Sequence, residues 1–190
     1  MHITLKHVAT AVVVVFLMLS WSSVTGEHAV QAATRYHCAL YGYSFQIPAG
    51  WHMAKPDIAK CAVKPTDPTS QSSPLFFSAS GRAFLNVDVI KNKSYPAVQW
   101  ITDYAGLLGI ASKSFKVGTA AVNQRIFAAV ARPVVTKDRT GTYRLFLVLA
   151  GLQRHGRLYG FVGGVALDQN PAPNGDIGQL RAAFTSLQIN

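Results

Sequence analysis

Along this chain, apolar positions either alternate with polar ones or recur at helical spacing, in a definite order. Tyr43, Phe45 and Ile47 alternate with Ser44 and Gln46, the period of a half-buried strand, and Pro48-Ala49-Gly50 ends it in a turn before Trp51. Residues 52–63 carry only weak strand character, near Cys61. The polar, proline-rich stretch 64–74 has no apolar face to bury and is expected to be an exposed, mobile loop. A short strand follows over 75–79, then a stronger one over 83–90, where Leu85, Val87 and Val89 alternate with Asn86 and Asp88. After Lys91-Asn92-Lys93 the period changes to that of a helix: Val98, Ile101, Ala105 and Leu108 form a stripe that Trp100, Tyr104 and Leu107 widen. Ser94 is placed to cap this helix, Pro96 to open its first turn and Gly109 to end it. A stripe of that width belongs to a helix lying on a sheet.

The remainder reads mainly as strand. Phe115 to Val117 is short, and 122–132 forms a longer run with Ile126, Ala128 and Val130 on one side. Lys137-Asp138-Arg139-Thr140-Gly141 is a charged turn, and the aliphatic stretch 143–152 is a central strand. Arg154-His155-Gly156 is a tight turn into a returning strand over 157–167, the clearest hairpin in the chain. Gly160, Gly163 and Gly164 in its second arm signal a bulge or a close backbone approach. They open no helix, so they are not a phosphate-binding fingerprint. After a Pro/Asn/Gly loop over 168–175, Ile177, Leu180, Phe184 and Leu187 mark a final helix, with Asp176 in its first turn. Strands, one helix, antiparallel strands and a closing helix imply an α+β fold, a mainly antiparallel β-sheet flanked by helices.

The N-terminal pattern differs. A short segment with Lys6 leads into an uncharged apolar run over 8–21, and Val30-Gln31-Ala32 presents the small-x-small pattern of a signal-peptidase site. Residues 1–33 are thus expected to be a signal peptide cut after Ala32 or Ala33, with Gly26 as an alternative, and 34–190 a single globular domain. The run of about 14 residues is shorter than the roughly 18–20 that a membrane span needs. The protein is expected to be exported, periplasmic or secreted, touching the membrane only through the leader before cleavage. Loss of the leader removes one Lys and one Glu, so the mature domain keeps the net charge of +10. Such a charge suits an acidic protein or an anionic envelope component, and export argues against nucleic acid.

Two cysteines, Cys38 and Cys61, fit a disulfide in an oxidising compartment, worth about 3 kcal/mol for that loop length. A thiolate metal site with His37 and His52, or a three-histidine site adding His155, lacks ligand spacing, so no metal and no cofactor is expected. No Gly-x-Ser-x-Gly elbow occurs, Ser78-Ala79-Ser80-Gly81 being the nearest string, and the aspartates are scattered, with Asp88 read as a solvated strand position. No catalytic residue is assigned. The basic residues at two turns are the candidate chemistry: Lys137, Arg139 and Arg144 at one, Arg154, His155 and Arg157 at the other, which as adjacent hairpin ends would form an anion-binding rim.

Two phrases resemble the PsbP-like family: Tyr43-Ser44-Phe45-Gln46-Ile47-Pro48-Ala49-Gly50-Trp51, and Gly156-Arg157-Leu158-Tyr159-Gly160-Phe161 followed by a loop and a helix ending Phe184-Thr185-Ser186-Leu187. The resemblance spans about residues 36–190 and implies an α/β/α sandwich. That fold group includes extrinsic photosystem subunits, a nuclear Ran-binding protein and exported bacterial proteins, and enzymatic activity is not its usual use. The leader here is bacterial in style and no lipid-attachment Cys is present, so a photosynthetic role is not supported. No metal site of the family transfers to these residues. The expectation is an exported non-enzymatic binding or assembly protein of the bacterial cell envelope. The alternative is a small hydrolase or metal-dependent enzyme of the periplasm using Asp88, His52 or His155.

Overall fold

The computed structural model describes residues 34–54, 74–91, 94–111, 115–137, 141–168 and 174–190. Ten strands and two helices occur among them: β1 (Thr34–Cys38), β2 (Tyr43–Ile47), β3 (His52–Met53), β4 (Leu75–Phe77), β5 (Ala83–Ile90), α1 (Ala97–Leu107), β6 (Gly118–Val122), β7 (Arg125–Lys137), β8 (Thr142–Arg154), β9 (Arg157–Ala166), α2 (Asn174–Thr185) and β10 (Gln188–Ile189). Seven strands form an antiparallel sheet in the order β3-β4-β5-β9-β8-β7-β6, and β1-β2-β10 form a small second sheet.

The main sheet is covered on both faces, which explains why its middle strands are buried on both sides rather than on alternate residues. In β8, Phe146, Val148 and Ala150 face one core while Leu147 and Leu149 face the other. The first core lies under α2 and the small sheet and holds Tyr36, Tyr43, Phe45, Phe76, Phe127, Phe161 and Phe184. The second lies under α1, around Trp100, Ile101, Tyr104 and Leu108. The result is an α/β/α sandwich in which the small sheet shares a layer with α2. Each large side chain so buried stabilises the fold by about 1.5–3 kcal/mol.

Several local readings differ from the structure. Pro96 is itself the residue before the first turn of α1, with no side-chain cap, so Ser94 does not cap the helix. Val98 is 52% exposed because it lies outside the buried arc of that helix. The strand expected over 122–132 is interrupted: Asn123 and Gln124, at φ 45° and 62°, make a type I′ turn that separates β6 from β7. β10, at two residues, is too short to show a period of two, and β1 was not predicted although Tyr36 and Cys38 are buried between exposed neighbours. Asp88 is not solvated but 3% exposed, because α1 covers its face of β5. Of segment 64–74 only Pro74 lies within the described residues, where it is buried.

Ser78-Ala79-Ser80-Gly81 is the β4–β5 turn, closed by a hydrogen bond from the Gly81 amide to the Ser78 carbonyl. Its serines fasten the turn to α2. The Ser78 and Ser80 hydroxyls are 2.9 Å apart, and the Ser80 hydroxyl donates to Asp176 at 3.1 Å.

Burial also acts on the tyrosines. Desolvation raises the phenols of Tyr36, Tyr43, Tyr95 and Tyr104, and the hydroxyls of Tyr36 and Tyr43 are buried side by side. A phenol raised in the folded state keeps a proton that the unfolded chain releases. Its contribution to stability is therefore complete below about pH 10 and is lost as pH rises beyond that value. In an alkaline titration, the phenolate absorbance of these four tyrosines is expected to appear together with the loss of circular dichroism. Ionisation of all four near pH 10, with the fold intact, would contradict their burial.

Candidate anion-binding surface

In an antiparallel meander, consecutive turns lie at opposite ends of the strand they share. Arg144 and Arg154 are ten residues apart on β8, about 33 Å at the usual rise of a strand. The six basic residues expected to form one rim are therefore divided. Lys137 ends β7 opposite Thr142, Arg144 stands beside it, and Arg139 lies outside the described residues. Arg154, His155 and Arg157 stand at the other end of β8. Turns that are neighbours in the chain are not neighbours in space here, because the length of β8 separates them.

The two ends differ in charge balance. At the first, Asp168 meets the exposed Arg144 guanidinium at 3.9 Å and accepts its backbone N–H at 2.6 Å. Arg82, in the β4–β5 turn, pairs with Asp176 at 3.5 Å. The second end gathers basic residues from five strands. β5 reaches it at Ile90, opposite Leu158, so Lys91 follows there, exposed. β7 starts where β8 ends and brings Arg125, also exposed. β8 and β9 supply Arg154 and Arg157, which pair directly across the turn. β1 supplies Arg35, whose guanidinium donates to the Ser44 hydroxyl at 2.8 Å and to Gln188 Oε1 at 2.9 Å. Gln188 adjoins Ile189, whose carbonyl accepts from Arg154 Nη1 at 3.0 Å.

No described carboxylate forms an ion pair with Arg35, Lys91, Arg125, Arg154 or Arg157. Asp103 belongs to α1, on the opposite face of the main sheet, and accepts from the Tyr95 hydroxyl and from Gln99. What holds the arginines is neutral: a carbonyl, a hydroxyl, an amide and a ring. The guanidinium of Arg157 lies 5.6 Å from the centre of the Tyr41 ring. Tyr41 is held in turn, its carbonyl accepting from the Tyr159 hydroxyl at 2.8 Å. Guanidiniums fixed by neutral groups keep their full charge for something else.

Of this end, the sequence reading found only the β8–β9 turn. It missed Arg35 because β1 was not recognised as a strand, and Lys91 and Arg125 because their nearness depends on strand register. The residues considered for catalysis do not meet. Asp88 is buried opposite Gly160, His52 is exposed on β3 opposite Phe77, and His155 lies in the turn five residues before Gly160. His37 projects from the outer side of β1. Among the described residues no three His, Cys, Asp or Glu side chains converge as a metal site would require. A narrow apolar crevice lies between α1 and β7–β8, lined by Ala105, Ile110, Val130, Arg132, Leu147 and Leu149, and it has no room for a water molecule. Cys38 is fully buried and no described cysteine is free, while Cys61 lies outside the described residues. No described helix is long and apolar enough to cross a membrane.

No family model matches the chain, and no curated protein matches it. Solved structures do. The chain is similar to the solution structure of cyanobacterial PsbP (CyanoP) from Synechocystis sp. PCC 6803, with a TM-score of 0.57 and 15% identity over 87% of this chain and 96% of that one. More distant are the crystal structures of a protein from Bacteroides thetaiotaomicron VPI-5482 (TM-score 0.47, 10% identity, 82% of this chain and 48% of that one) and of the Saccharomyces cerevisiae Ran-binding protein Mog1p (TM-score 0.45, 10% identity, 84% and 96%). The fold is PsbP-like, as the two sequence phrases implied. Likeness at 15% identity carries the architecture alone.

Proposed function

We propose that this chain is an exported, non-enzymatic binding or assembly protein of the bacterial cell envelope, and that it holds an acidic protein or an anionic envelope component on the basic end of the sandwich. The observation that carries the reading is the uneven charge: ion pairs offset Arg82 and Arg144 at one end, whereas Arg35, Lys91, Arg125, Arg154 and Arg157 at the other end meet no described carboxylate. Fixed like charges collected at one end cost folding free energy, and an anionic partner recovers it on binding. Export rests on the leader pattern of residues 1–33, and a Cys38–Cys61 bridge belongs to the same proposal.

The test is capture from an envelope fraction by the mature domain at low and at high salt. Partners are expected to be retained at low salt and released as the Debye length shrinks to about 3 Å near 1 M. Capture indifferent to salt, or no partner at physiological ionic strength, would count against the proposal.

A further inference from the structure

Arg154 and Arg157 are the closing pair of a two-residue hairpin whose central residues, His155 and Gly156, have φ of 50° and 70°, a type I′ turn. Residues directly opposite in an antiparallel pair project to the same side, about 5.5 Å or less between Cα atoms. Like charges at such positions destabilise the pair. Here both side chains lean toward the small sheet, one onto the Ile189 carbonyl and the other onto Tyr41. Neither guanidinium has a described carboxylate to offset it.

We propose that Arg154 and Arg157 form a clamp for a doubly charged phosphate group. This rests on the reading of the basic end as the binding surface and names the chemistry that it takes. Each guanidinium is already oriented. Arg154 uses Nη1 on the Ile189 carbonyl and Nε on Nε2 of His155 at 2.8 Å, which leaves its other three N–H groups for a ligand. Nε2 of His155 accepts that bond, and the imidazole so orients Arg154. Among the described residues, Arg157 makes no hydrogen bond to a side chain and is steadied by the Tyr41 ring. Both residues are half-buried, where charge-assisted hydrogen bonds are stronger than in open water. A carboxylate neutralises one of the two guanidiniums. A phosphate monoester or pyrophosphate group neutralises both and presents enough oxygens to accept from each fork.

The test uses the mature, oxidised domain, with inorganic pyrophosphate and vesicles of phosphatidic acid in phosphatidylcholine as probes and poly-glutamate as the competing class. Pyrophosphate is expected to bind and to raise the melting temperature. Affinity is expected to fall about tenfold in Arg157→Gln and in Arg154→Gln, and to stay unchanged in Arg144→Gln. Arg157→Lys keeps the charge but not the fork and should lie between. Without ligand, Arg157→Gln should melt close to the parent, since the loss of a like-charge neighbour offsets the loss of the Tyr41 ring contact. A purely structural arginine would lower melting temperature and affinity together. Vesicle binding with the same arginine dependence would identify the phosphate as a lipid headgroup, and binding of pyrophosphate alone would identify a free phosphate compound. Either result supports the clamp. Pyrophosphate binding unchanged by both substitutions, or poly-glutamate binding that depends on both arginines while pyrophosphate does not bind, would overturn it. If the clamp fails while salt-sensitive envelope capture persists, the basic end remains the binding surface. If capture fails as well, both readings fall.

Discussion

Replacing Gly160 by alanine is expected to destabilise the domain by about 3 kcal/mol, at the upper end of the usual range for overpacking. A Cβ at Gly160 would come within 3.0 Å of three atoms of the Trp100 ring, including 2.5 Å from Cη2 and 2.8 Å from Cε2. Trp100 is 3% exposed and lies on the buried face of α1 beside Tyr104, whose ring centre is 5.4 Å away, so the indole cannot step aside without lifting the helix. Gly163 faces the opposite core, where the atoms met first are a methyl group of Leu180. A leucine can change rotamer, so Gly163→Ala should cost roughly half as much. Trp100→Leu should relieve much of the Gly160→Ala penalty, and a double-mutant cycle in urea would show it as coupling of about 1–2 kcal/mol. Strict additivity would mean that the two residues do not share the space.

These glycines show what sequence could convey and what it could not. Their position inside a strand already pointed to close backbone approach, and that is their use: β9 is the strand on which α1 packs from one side and α2 from the other. The strong strands β5, β8 and β9 and both helices were legible because each carries enough apolar residues to express a period. β1, β3 and β10 are short, and β3 and β10 take their place from partners distant in sequence. Gln188 pairs with Ser44 across 144 positions, which no local pattern records. The I′ turn at Asn123-Gln124 was hidden because Gln is not among the residues that usually mark such a turn. The same limit governed the candidate site. A charged turn is visible in sequence, but which turns adjoin depends on the sheet. The sandwich places Arg35 and Lys91 at the end that holds Arg154 and Arg157, and places Lys137 and Arg144 about the length of β8 away.

Breaking the proposed Cys38–Cys61 bridge should cost about as much as the Gly160 substitution. In the chain-entropy model a closed loop of this length contributes about 3 kcal/mol, and native bridges in small exported domains commonly contribute 2–5 kcal/mol. Cys38 lies at the end of β1, fully buried and paired in register with Tyr43, so its neighbours belong to the first core. A mature domain with Cys38→Ala and Cys61→Ala, or the parent kept in dithiothreitol, should melt well below the oxidised parent. Equal melting with and without reductant, with both thiols reactive in the native protein, would show that the cysteines are not paired.

The account turns on where the uncompensated charge is, since net charge alone would let any surface serve. Amide chemical-shift mapping of the mature domain during titration with pyrophosphate tests this most directly. The predicted shifts fall on residues 39–42, 154–158 and 188–190, where the two hairpins and β10 meet, and fade as salt is raised. Shifts centred on Arg82, Lys137 and Arg144, or spread evenly over the basic residues, would contradict it.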